Sequence, residues 1–124
     1  MKTKFLNVLL ISLGLLLFNA SAKAHGDETP QHGGVVKVKH EMIFELVRSE
    51  SGTSVYLRDH GKPYPSAKLT GNVTVLAAGK KSDAVLLPAG ENKMTADVTI
   101  PDGAKVLVKL KDDGHHSVTV RFIF

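Results

Sequence analysis

The chain is predicted to be all-β, an antiparallel immunoglobulin-like two-sheet sandwich of about seven to eight strands, and three observations predict it. From Val35 onward the sequence is a series of short β-branched runs, and a cluster of turn formers separates each run from the next. No stretch carries the i, i+3, i+4, i+7 apolar spacing of an amphipathic helix. A single open sheet would leave one apolar face bare, so the strands are expected in two facing layers.

The strands are expected in order at 34–39, 42–48, 54–59, 67–76, 84–87, 93–100, 105–111 and 117–124. The intervening stretches 49–52, 60–65, 78–83, 88–92, 101–103 and 112–114 are built from Gly, Pro, Asn, Asp and Ser with charged neighbours. Alternation is clearest near the C-terminus. Val106, Val108 and Leu110 share one face and Lys105, Lys109 and Lys111 the other; Val118, Val120, Phe122 and Phe124 repeat the pattern. One face is core and the other wet. Met94 shares parity with Ala96, Val98 and Ile100 and reads as core.

Residues 1–24 read as a cleavable signal peptide. Lys2 and Lys4 form a positive start, residues 8–18 an apolar run, and Ala22-Lys23-Ala24 offers small residues at the two positions a signal peptidase reads. This apolar run is well short of the roughly 20 residues a bilayer-spanning helix needs, so no permanent membrane anchor is expected. Cleavage after Ala24 leaves a chain that begins at His25 and is expected in the periplasm. The division is then signal peptide 1–24, a flexible His/Gly arm at 25–33, and one β-sandwich domain at 34–124.

Charge and composition narrow the function. The formal net charge of +4 counts Lys2, Lys4 and Lys23; without them 13 Lys+Arg face 12 Asp+Glu, a net +1, which removes the support for nucleic-acid binding. With no cysteine there is no disulfide, thiolate metal site or cysteine nucleophile. No G-x-S-x-G elbow, H-E-x-x-H helix, phosphate loop or dinucleotide fingerprint occurs, so an enzyme is not expected.

All six histidines, His25, His32, His40, His60, His115 and His116, fall in the arm or near strand ends. Loops on a rigid sandwich are where binding groups gather, and imidazole is a common ligand of copper and zinc. If every connection reverses the chain, the first, third, fifth and seventh share one end, which collects His40, His60, Glu91 with Asn92, and His115-His116. Met42 and Met94 begin strands at that same end, and the arm histidines fall nominally at the other. His40 and Met42, two apart, offer an imidazole and a thioether to one ion; in the alternative, Met42 starts the core stripe of Phe44 and Leu46. His25, once N-terminal, offers an α-amino group beside its imidazole, with His32 as a further nitrogen. Asp59 is read as a turn residue rather than a partner of His60.

Gln31-His32-Gly33-Gly34-Val35-Val36, the Phe44-Glu45-Leu46-Val47 strand and the stretch Val55-Tyr56-Leu57-Arg58-Asp59-His60-Gly61-Lys62-Pro63 carry a resemblance. The chain resembles small periplasmic proteins associated with heavy-metal efflux, and is similar in plan to periplasmic copper carriers that begin with a mature histidine. It lacks the methionine-rich segment of some of those carriers. The resemblance implies a metal-binding accessory protein that buffers or delivers copper, zinc or a similar divalent ion, with an efflux-system or other envelope protein as partner. The alternative is an immunoglobulin-like interaction module that docks on an envelope protein without a metal role.

Overall fold

The structure, a computed structural model, describes residues 28–124. It is all-β: nine strands and no helix among the described residues, so none there is long and apolar enough to cross a membrane. The strands are β1 (Val35–Lys39), β2 (Met42–Ser49), β3 (Gly52–Asp59), β4 (Lys62–Pro63), β5 (Thr70–Ala77), β6 (Lys80–Pro88), β7 (Lys93–Ala96), β8 (Lys105–Lys111) and β9 (Ser117–Ile123). All pairings are antiparallel, in the order β1-β2-β3-β7-β6-β5-β8-β9, with β4 added to β3. The sheet curls until β9 lies beside β1, giving a nearly closed, barrel-like shape.

Alternation builds the interior. Phe44, Leu57, Val73, Met94, Val108 and Phe122 are fully buried in one cluster to which both halves of the sheet contribute, while Lys105, Lys109 and Lys111 stay exposed. β2 departs from alternation, with Ile43, Phe44, Glu45 and Leu46 buried consecutively, so both faces of this strand are covered.

The elements differ from expectation where local geometry decides. Ala78 and Gly79 (φ 51° and 74°) close a two-residue hairpin of the left-handed kind, so β6 starts at Lys80 and a six-residue turn is not needed. Residues 97–100 leave the sheet because side chains take their carbonyls: the Thr53 hydroxyl donates to Val98 (2.7 Å) and the Arg48 guanidinium to Ile100 (3.1 Å). Arg48 also pairs with Asp102 and lies 4.8 Å from the Phe124 ring centroid, closing that end of the barrel.

Candidate functional site

Antiparallel pairing sends the turns at 40–41, 60–61, 89–92 and 112–116 to the opposite end, the mouth of the barrel. The segment 64–69 crosses this mouth. The Tyr64 N–H donates to the Leu57 carbonyl (3.0 Å), and the Ser66 N–H and hydroxyl both donate to the Glu91 carbonyl (2.9 and 3.1 Å). Below it lies a cavity of about 350 Å³, walled by Phe44, Leu69, Leu110 and Val118 with Met42 and Tyr64, and rimmed by His40, Asp112 and His116. Met42 packs against the core cluster, as the core-stripe alternative expects, and it also lines the cavity.

The hairpins place the imidazoles. His40 and Glu41 have φ of 52° and 66°, and His60 and Gly61 have 52° and 79°. Two-residue turns of this hand need positive φ at both positions, which histidine tolerates better than most residues with a side chain. His60 is then committed. Its Nδ1 lies 2.6 Å from Asp59 Oδ1 and its Nε2 3.4 Å from Glu41 Oε2, so the ring clasps two neighbouring turns and has no nitrogen clear of a carboxylate. The expectation that Asp59 would serve only its turn is corrected: the left-handed backbone at His60 brings the two side chains together.

His116 is oriented by Asp112. Asp112 Oδ1 accepts the His116 backbone N–H (2.9 Å), and Oδ2 lies 3.4 Å from His116 Nδ1. That N–H is the main cause holding the Asp112 carboxyl below its ordinary range, helped by the His116 ring and the Gly114 N–H and opposed by burial. A carboxylate beside one ring nitrogen favours the other as a ligand, the arrangement that commonly supports metal-bound imidazole. His115, with φ 67°, bonds through its backbone to the Asp112 carbonyl (3.4 Å) and is not part of the cavity wall.

The described part of the arm, residues 28–33, folds back over the outside of the sheet. Gly33 takes φ 73°, and Gly34 passes so close to β2 that a Cβ there would lie 2.5 Å from the Leu46 carbonyl oxygen. The reversal lays 31–34 over Glu45, which is 1% exposed and accepts the N–H groups of Gln31 (3.0 Å), His32 (2.7 Å) and Gly34 (3.0 Å). Burial pushes the Glu45 carboxyl up, but these three donors and the His32 ring outweigh it and hold the group below its ordinary 4.5. The His32 ring stacks on Tyr56 with centroids 3.6 Å apart, and the buried Arg58 donates to the Thr29 carbonyl (3.2 Å). His32 thus lies on the outer face of β3 rather than at the far end of the barrel.

Of the six histidines, the structure brings His40 and His116 to one cavity, ties His60 to carboxylates, leaves His115 beside the rim and stacks His32 on Tyr56. His25 and the signal peptide expected at 1–24 lie outside the described residues. Among the described residues no group of three or more His, Asp or Glu is arranged to hold a metal ion. Sequence reasoning missed Asp112 as the group that orients His116, and Glu45 as the anchor of the arm. The unbroken Ile43-Phe44-Glu45-Leu46-Val47 run was the available signal for the second, since a strand without alternation is covered on both faces. No protein-family model matches the chain, and neither does any curated protein or solved structure.

Proposed function

We propose that the protein is a non-enzymatic metal-binding accessory protein of the periplasm, buffering or delivering copper, zinc or a similar divalent ion to an efflux system. The observation that carries this reading is the convergence of His40, Met42 and His116 on one apolar-walled cavity. Two imidazoles and a thioether make a mixed nitrogen and sulfur donor set that suits copper; for zinc the two imidazoles need further ligands. His40 and His116 would hold the ion, Asp112 orients the His116 ring, and Phe44, Leu110 and Val118 keep water from the inner side. The signal peptide read at 1–24 supports the compartment. We read the frame as immunoglobulin-like, with β1-β2-β3-β7 and β6-β5-β8-β9 as two layers; only the pairs Leu87↔Thr95 and Pro88↔Met94 link them between β6 and β7.

The test is a titration of the mature protein with zinc and with divalent copper, followed by NMR. Stoichiometric uptake is expected, with His40 and His116 ring signals shifting with zinc and broadening with copper. Affinity should fall as pH drops, because protons compete with the metal for imidazole. Deleting the arm would strip Glu45 of its donors, so arm ligation is tested instead by His25→Ala with His32→Ala. If that pair abolishes uptake while His40→Asn with His116→Ala leaves it intact, the site is the arm; if no uptake occurs at all, the metal reading fails. The second reading, an interaction module that docks through an edge strand, is favoured by one observation, the open seam between β1 and β9.

A further inference from the structure

The curled sheet is hydrogen-bonded throughout its strand order, but its two end strands, β1 and β9, run side by side with no ladder between them. Each therefore keeps a second edge that no strand pairs. The cause lies in β1. Its register with β2, Lys37↔Phe44 and Lys39↔Met42, puts two lysines on the face whose β2 neighbours point into the core. An ammonium group is not buried without a partner, so β1 stays at the margin, and Lys39 Nζ reaches across to donate to the Thr119 carbonyl.

What results is a groove of about 420 Å³, with Lys37, Val38 and Lys39 on one bank and Thr119, Val120 and Arg121 on the other. It holds three cations and no carboxylate. None of the three makes an ion pair among the described residues.

We propose that this seam docks an acidic peptide segment in extended conformation, lying over the groove between β1 and β9 with its carboxylates on the cationic ends of Lys37, Lys39 and Arg121. The spacing supports it: Lys37 and Lys39 are two apart in a strand, hence on one face about 6.5 Å from each other, which matches acidic residues at alternate positions of an extended peptide. A second copy of β1 would set lysine against lysine. A neutral strand would leave three cations unanswered, and single-stranded nucleic acid would find no aromatic ring in the groove on which to stack a base. The proposal is independent of the metal reading.

The experiment is an NMR titration of the mature protein with a synthetic peptide of alternating Glu and Thr, alongside a peptide with Lys in place of Glu and inorganic polyphosphate. Saturable shifts are expected at the amides of residues 35–39 and 117–123, with affinity falling as salt rises. Lys37→Glu with Lys39→Glu should weaken binding tenfold or more. Because that change touches the sheet, Arg121→Glu on the opposite bank provides a second variant, expected to weaken binding at least threefold with the rest of the spectrum unchanged. His40→Asn with His116→Ala should leave peptide binding intact. Shifts outside the seam, binding indifferent to both charge reversals, or equal affinity for the lysine peptide would overturn the proposal. So would polyphosphate binding as tightly with the same shifts, which would mark a general anion patch instead.

Discussion

Two polar clusters of this protein are built in opposite ways. Over the outer face of β2 and β3, Glu45 is buried, accepts three backbone N–H groups, and holds down an arm whose His32 ring is stacked on Tyr56. At the mouth of the barrel, His40 and His116 are exposed around an apolar cavity, carried on turns with left-handed backbone beside them. In the first cluster the buried carboxylate is saturated with backbone donors and reads as structure; the second has imidazole edges that solvent or an ion can reach. The more recognisable motif is not the more available one. His32-Gly33-Gly34 owes its two glycines to a chain reversal and a close approach to Leu46, whereas no motif marks His40, Met42 and His116 as neighbours.

The contrast can be broken at either side. The largest effect is expected for Glu45→Ala, which leaves three N–H groups without their charged acceptor and should lower unfolding stability by about 3 kcal/mol. Denaturant titration measures it, and amide exchange at Gln31, His32 and Gly34 should accelerate with it. Stability unchanged would mean that the arm is not anchored by this carboxylate.

Acid should act through the same group. The folded state holds the Glu45 carboxyl below 4.5, so its contribution is full above that value and is lost as pH falls through the lower folded value. Melting temperatures followed downward from pH 5 should therefore drop more steeply for the native protein than for Glu45→Gln. Parallel curves would show that other carboxylates govern acid unfolding.

At the mouth the expected signature is inverted. His40→Asn with His116→Ala should weaken zinc or copper binding about a hundredfold, equivalent to ~2.8 kcal/mol, while unfolding stability changes by less than about 0.5 kcal/mol. Equal losses of binding and stability would move the mouth into the same structural class as the Glu45 cluster. The smallest effect is a gain: His40→Gly relieves a side chain held at φ 52° and should stabilise the fold by about 0.5–1 kcal/mol. A loss at that position would show that the imidazole, and not only the turn, contributes to folding.

Much of the fold was legible because its signals are local. Period-2 alternation marked β8 and β9, and turn formers located both ends of most strands, since side-chain facing and positive φ depend only on a few consecutive residues. The gathering of His40, His60 and His115-His116 at one end followed from chain reversal alone. The two-residue β4 and the early start of β6 were not legible, because a pair of ladder contacts and a tight hairpin leave little trace in composition.

What the sequence by itself determined is the class of structure: all-β and antiparallel, with His40, His60, His115 and His116 near the turns. The tertiary structure decided which of those histidines share a cavity, since that depends on the turns before β2 and β9 coming together as β9 curls beside β1, from positions more than seventy residues apart. It also decided that Glu45 is an anchor and not a solvated strand residue, through an arm that folds back over it. The open seam is a decision of the same kind: Lys37 and Lys39 look like ordinary exposed residues until their register with Phe44 and Met42 turns them toward the core side. Facing within one strand is a local property, but coverage, closure and the meeting of distant strands are set only when the whole sheet competes for the same interior.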